Sequence, residues 1–182
     1  MEPEPTVVEL KGPDAGKVAH AYGTNGVITE LELALAPAVT WLDVIVTFDG
    51  LERALRFAQA LAGDGEVITK EVGVFAASIP PYFPNLKVPT GQDACLLMVA
   101  EPSLQPLVAL VDSMGGVVCY TKRDPESGRT RPLYEYTWNH TTLHAIMADP
   151  AITYLQSLFP QEEGIEPVMA MHRHFGDEVP MH

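Results

Sequence analysis

Residues 41–63, WLDVIVTFDGLERALRFAQALAG, contain the change of periodicity that decides the fold. Residues 41–48 are rich in β-branched and aromatic side chains and end at an Asp-Gly pair, which predicts a strand. Beyond that pair Leu51, Leu55 and Ala58 recur at helical spacing until a glycine stops the pattern. The sequence therefore predicts a strand that leads directly into an amphipathic helix.

The following residues repeat this alternation of strand and helix. The predicted elements are a strand at 66–77, a Pro-rich loop at 79–89, a buried strand at 94–100, a helix at 104–114 and a strand at 117–121. The complete order is βαββαβ. This order predicts an α+β fold of the ferredoxin-like type, with an antiparallel sheet and helices on one face.

The flanking segments have weaker patterns. Residues 7–10 and 26–35 alternate apolar and polar side chains around a Gly-rich bend, and two strands are expected there. Residues 134–148 have helical character, and residues 152–159 fit either a strand or a short helix.

Composition excludes several classes of partner. The 182-residue chain is 47% hydrophobic and has a net charge of −13 without a basic cluster, which makes it a poor ligand for nucleic acids and anionic membranes. Its longest apolar run, residues 94–100, is far shorter than the ~20 residues of a membrane span. The two cysteines, Cys95 and Cys119, fall in predicted buried strands and are expected to be packed thiols. We expect a cytoplasmic protein with a small-molecule substrate, and homo-oligomer formation is compatible with these features.

A glycine-rich turn precedes the predicted core. Gly23-Thr-Asn-Gly-Val-Ile-Thr-Glu30 places two glycines three residues apart, so that backbone N–H groups can approach a ligand without obstruction by Cβ atoms. The structural alternative is a tight turn at the entry to a strand.

Residues 18–37 resemble the last part of the FAD-binding domain in FAD-linked oxidoreductases of the vanillyl-alcohol-oxidase (PCMH) type. In that family a Gly-Thr-x-Gly-(Ile/Val)-Ile-Thr-Glu turn leads into a strand that ends in a proline. The resemblance implies that the turn lies against the flavin through backbone contacts of Gly23, Thr24, Gly26, Val27 and Ile28.

In this family a cap domain with an antiparallel sheet follows the FAD-binding domain. The resemblance therefore implies that residues 1–40 are the end of the FAD-binding domain and that residues 41–182 are the cap or substrate domain. The cap would have its ferredoxin-like core at 41–123 and would be truncated at its C-terminus. The family's glycine-rich pyrophosphate loop is missing from the chain, so we expect an internal fragment that by itself binds FAD weakly or not at all and is inactive.

A second candidate segment contains two histidines. If residues 134–147 are helical, His140 and His144 stand one turn apart, and either could act as a general base or as a hydrogen-bond donor to a substrate oxygen. Tyr136, Trp138 and Asn139 would then contact a substrate or a planar ring. The structural alternative is an amphipathic helix with packed aromatic side chains.

The third candidate segment is residues 171–182. Strand alternation would place His172 and His174 on one face, and a turn could return His182 toward them, giving a site for a divalent metal. The segment is also similar to the His-x-Gly-Asp-Gly-Asn-x-His motif of 2-hydroxyacid dehydrogenases in the same flavoprotein group, which implies metal ligation by His174 and His182. The alternative is a polar terminal segment.

The favoured function is a part of an FAD-dependent oxidoreductase. Its substrate would be a 2-hydroxy acid or a phenolic or benzylic alcohol, and a hydride would pass from the substrate to the flavin. A non-catalytic ferredoxin-like module for binding or dimerisation is the alternative, because this fold serves many unrelated functions. A small metal-dependent enzyme is a third hypothesis.

Overall fold

The computed structural model describes residue 4 and residues 6–123, 132–137 and 140–182. The chain divides into two compact units, Met1–Pro37 and Ala38–His182. In the described part of the chain, no helix has both the length and the apolar character needed to cross a membrane.

Among its described residues, the first unit contains one short 3-10 helix, Gly12–Val18, followed by a tight turn. The backbone N–H and the hydroxyl of Thr24 both donate to the Ala21 carbonyl oxygen, at 2.9 and 2.7 Å. The strands predicted at 7–10 and 26–35 are absent from the described residues, and this prediction was wrong. Neither segment forms the hydrogen bonds of a β-sheet, because no described neighbouring segment of this unit supplies a partner strand.

The second unit is built around an antiparallel four-stranded sheet. Its elements, in chain order, are β1 (Trp41–Phe48), α1 (Leu51–Gly63), β2 (Thr69–Phe75), β3 (Asp93–Ala100), α2 (Leu104–Ser113) and β4 (Val117–Arg123). The strands lie side by side in the order β2-β3-β1-β4. The predicted α+β class with an antiparallel sheet is confirmed, and the strand order is consistent with a fold of the ferredoxin-like type.

The two cysteines occupy different positions in this sheet. Cys95 is fully buried on β3, as predicted. Cys119 is exposed, so the prediction that it is buried was wrong. The difference follows from the strand order, because β3 is a central strand whereas β4 is at the edge of the sheet.

The first face of the sheet packs against α1 and α2. Phe57 of α1 is fully buried, and its ring lies 5.0 Å from that of Phe48 on β1. Leu107 and Val111 of α2 belong to the same core. Helix α1 begins after Gly50, whose φ of 113° is accessible to glycine at little cost.

The second face of the sheet is covered by the chain itself. Ile45 and Leu96 on this face pack against Ile79 and Phe83 of the Pro-rich loop and against Leu133. The backbone N–H of Leu133 donates to the Asp43 carboxylate at 3.1 Å, which ties the segment after β4 to the centre of the sheet. Both faces of the sheet are therefore part of the hydrophobic core.

Helices follow the sheet in the described part of the remaining chain. They are α3 (Tyr134–Thr137), α4 (Thr141–Ala148) and α5 (Glu166–Phe175). Residues 152–159 form neither a strand nor a helix, which contradicts the prediction. The large apolar side chains there, such as Leu155 and Leu158, are almost fully exposed, so packing does not fix a regular element.

Helix α5 also contradicts the strand expected at His172 and His174. A proline in the first turn favours a helix start, Met169 is buried against the core, and Gly176 ends the helix with a φ of 57°. Beyond α5 the chain returns to the sheet, where the Ala76 N–H donates to the Met181 carbonyl oxygen at 3.0 Å.

Candidate functional site

The glycine-rich turn of the first unit exposes its backbone. Gly23 and Gly26 adopt φ values of 77° and 131°, and a Cβ atom added at either position would meet no atom within 4 Å. Val27 and Ile28 are exposed as well. The turn therefore leaves open space beside Gly23 and Gly26, whereas the Thr24 N–H is already used in its hydrogen bond to Ala21.

Two histidines flank Glu135 in the second unit. His140 lies immediately before α4, and its carbonyl oxygen accepts a hydrogen bond from the His144 N–H at 2.9 Å, so the expected separation of one turn is present. The Nδ1 atom of His140 lies 3.4 Å from the Glu135 carboxylate, within ion-pair range. His140 is half-buried, and its Nδ1 atom has no hydrogen-bond partner in the described part of the chain.

His144 occupies a different environment. Its Nε2 atom donates a hydrogen bond to the carbonyl oxygen of Glu135 at 3.1 Å. The ring packs beside Tyr136 and edge-on to Phe83, with centroid distances of 5.6 and 5.7 Å. These contacts give His144 a structural role in the aromatic cover of the sheet.

Tyr136 borders a cavity of about 580 Å³ on the second face of the sheet. The other described lining residues come from three parts of the unit and are Ile45, Asn85, Leu86, Lys87, Tyr120, Leu133 and Met147. Neither His140 nor His144 is among the described lining residues. Trp138 and Asn139, which were predicted to contact the substrate, lie outside the described residues.

A second cavity, of about 400 Å³, runs along β2 at the edge of the sheet. Thr137 of α3 and His182 border it together with β2 residues. Gly73 allows α3 to approach the strand closely, since an added Cβ atom would lie 2.9 Å from Thr137 Cγ2. Within this cavity Glu71 is the buried acidic residue, with 7% of its surface exposed.

Glu71 lies in an unfavourable electrostatic environment. In the described part of the chain neither of its carboxylate oxygens has a hydrogen-bond partner. Glu71 and Asp43 both pair with Met98 in the strand register, from opposite sides, so the two carboxyl groups belong to one row across the second face. The pKa of Glu71 is raised from 4.5 to about 7, mainly by burial and also by the Asp43 carboxylate, while the Lys70 ammonium lowers it.

Sequence reasoning missed Glu71 as a candidate site residue. The sequence shows Glu71 as a charged residue inside a predicted strand. Such a residue is normally assigned to the face of the strand that contacts solvent. A β-bulge at Lys70, between the register pairs of Thr69 and Glu71, also shifts the alternation along β2.

We expect the Glu71→Gln substitution to stabilise the protein in a pH-dependent manner. Because the folded-state pKa lies above the unfolded value, the stability contributed by Glu71 is present below about pH 4.5 and is lost as the pH rises through about 7. The gain in unfolding free energy should be about 2–3 kcal/mol larger at about pH 8 than at about pH 5. Urea denaturation at both pH values measures it.

The control for this measurement is Glu66→Gln, because Glu66 is exposed. Its effect on the unfolding free energy should be the same at both pH values. A gain for Glu71→Gln that does not change with pH would contradict the prediction.

The two residues of the expected metal site, His174 and His182, have different neighbours. His174 is exposed on α5 and packs edge-on against Phe175, whereas His182 packs against Phe75 of β2. Partial burial lowers the pKa of His182. The described residues contain no group of three or more His, Cys, Asp and Glu side chains that could hold a metal ion. Metal ligation by His174 and His182 stays a prediction. The expectation that His172 and His174 lie on one face was based on a strand, and this segment is a helix.

Comparison with known proteins does not assign the chain to a family. No protein-family model matches the sequence, and a search of curated proteins finds no significant match.

Proposed function

We propose that the chain is part of an FAD-dependent oxidoreductase that oxidises a hydroxylated small molecule. The observation that carries the proposal is the turn at residues 23–28, which combines the sequence resemblance with an exposed backbone and two glycines at positive φ. Gly23, Thr24, Gly26, Val27 and Ile28 would hold the cofactor. Bound FAD would supply the hydride acceptor for the reaction.

His140 is the group we assign to the substrate proton. Its Nδ1 atom lies 3.4 Å from the Glu135 carboxylate without a hydrogen bond in this structure, and a carboxylate at this distance would favour the charged imidazole that forms when Nε2 accepts a proton. Glu135 is then a positioning residue. His144 is not assigned this role, because its Nε2 atom is already bonded to a backbone carbonyl oxygen.

The cavity beside Tyr136 supports a substrate with an apolar body and an acidic group. Ile45 and Leu133 provide an apolar wall, and Lys87 is the described cationic side chain of the lining. An ammonium group attracts a carboxylate, and the volume lies within the ~300–1,000 Å³ typical of small-molecule sites. Of the two expected substrate classes, these features favour 2-hydroxy acids that carry a hydrophobic side chain.

Spectroscopy on the complete open reading frame that contains these 182 residues tests the proposal. The purified protein should carry flavin absorption, and anaerobic addition of hydrophobic 2-hydroxy acids should bleach it. Benzylic alcohols without a carboxylate serve as the comparison. Failure of the complete polypeptide to bind FAD after reconstitution would overturn the assignment.

The alternative of a non-catalytic module has weaker support. A binding or dimerisation module of this fold would use a free sheet face to contact its partner. Here both faces of the sheet are occupied by the chain's own side chains.

A further inference from the structure

The cavity along β2 contains a buried carboxylate without a protein partner, and this combination is rare in folded proteins. A buried charge normally has a hydrogen-bonding or oppositely charged neighbour, since an isolated one is costly. Glu71 has neither oxygen bonded within the described part of the chain. A ligand group that donates hydrogen bonds would remove this cost.

The charges around Glu71 favour a cation. Asp43 lies in the same row of the sheet, and its negative charge raises the pKa of Glu71. The ammonium of Lys70 lies 5.8 Å from the centre of the Trp41 ring, in cation–π range. His182 contributes little positive charge at neutral pH, because partial burial lowers its pKa.

The shape of the site favours an organic cation over a metal ion. Divalent metals such as Ca²⁺ and Mg²⁺ need about six oxygen ligands, and the described residues contain no suitable cluster of acidic and metal-binding side chains. A primary ammonium has three hydrogens to donate. Both Glu71 carboxylate oxygens are buried, so the side chain would turn toward the cavity to accept two of these hydrogens. The Thr137 hydroxyl or an outward carbonyl of the edge strand β2 could accept the third.

We propose that the cavity bordered by Glu71, Thr137 and His182 is a binding site for a small primary amine, whose ammonium group pairs with Glu71. The site is independent of the flavin proposal, since it uses none of the residues assigned there. Its volume of about 400 Å³ accommodates a ligand of a few heavy atoms beyond the ammonium group.

NMR titration of the 182-residue chain with ethylamine tests this site. With glutamate carboxyl groups labelled with carbon-13, the Glu71 signal is identified by its loss in Glu71→Gln. Ethylamine should shift this signal saturably and should lower the pKa of Glu71. Ethanol, which has a similar size without the charge, should cause no saturable shift.

The pH dependence gives a second measurement. Ethylamine should bind about tenfold more weakly at about pH 6 than at about pH 8, because Glu71 becomes protonated over this range. Asp43, Lys70 and His182 are the other titratable groups that face Glu71, so the profile is repeated in His182→Gln and should be retained there.

Substitutions complete the test. Binding detected by calorimetry should fall at least tenfold in Glu71→Gln and should be unchanged in Glu66→Gln, whose side chain is exposed. The proposal is overturned if ethylamine causes no saturable shift of the Glu71 signal. It is equally overturned if Glu71→Gln binds ethylamine as tightly as the unmodified chain or if ethanol binds equally well.

Discussion

Replacing His140 with glutamine in the flavin-loaded polypeptide is expected to lower kcat by about 10² to 10⁴-fold. Glutamine keeps a polar side chain of similar reach but cannot accept the substrate proton at neutral pH. The KM should change little, because proton abstraction stabilises the transition state and not the bound substrate. Stopped-flow measurement of flavin reduction separates the chemical step from product release.

His144→Gln is the matched control for this substitution. The loss of its hydrogen bond to Glu135 and of its ring contacts should lower the unfolding free energy by about 1–2 kcal/mol, with kcat changed only slightly. Glu135→Gln tests the positioning role of Glu135. Removal of this carboxylate should alter the pH profile of kcat. A His140→Gln variant that retains most of the activity would contradict the role assigned to His140.

Replacing Phe57 with alanine is expected to lower the unfolding free energy by about 3–5 kcal/mol. The ring is fully buried between α1 and the first face of the sheet and contacts Phe48. Its removal leaves a cavity that the paired strands β1 and β3 cannot close without breaking ladder hydrogen bonds. Urea denaturation at neutral pH gives the difference.

Gln59→Ala on the same helix provides the comparison, because Gln59 is exposed. Its effect should remain within about 0.5 kcal/mol. If Phe57→Ala cost less than about 1.5 kcal/mol, α1 would not be held to the sheet by this ring, and the description of the first core would be incorrect.

The order of elements from Trp41 to Arg123 was predictable because local patterns determine it. Continuous apolar runs, and helical spacing that ends at a glycine, are properties of short segments. The prediction of which side of α1 is buried was less accurate. Leu51 is buried as expected, but Ala54 and Phe57 form the inner side, where Leu55 and Ala58 were predicted. A rotation of this size depends on which side chains fit between the strands.

The cover on the second face could not be read from the sequence. Glu71 follows the polar residues Thr69 and Lys70, so the segment resembles a strand with one solvated side. Next to it, Thr137 of α3 lies against β2 at Gly73, a contact between residues far apart in the chain. Local periodicity contains no information about such a contact.

The segment with His140 and His144 also combines a predictable local feature with unpredictable long-range contacts. Its helical spacing was correct, and the His144 N–H donates to the His140 carbonyl as expected. The distinction between the two rings arises from their neighbours. Phe83, which contacts His144, comes from the Pro-rich loop, and no spacing rule connects that loop with α4.

The extended residues after the glycine-rich turn have a practical consequence for handling the protein. Val27, Leu31 and Leu35 project apolar side chains into solvent, on backbone without ladder partners. Such a segment is a template for intermolecular β-stacking, and the acidic side chains at 30 and 32 act as gatekeepers that oppose it. Keeping these two charges, and working at moderate ionic strength, should therefore protect concentrated samples from precipitation.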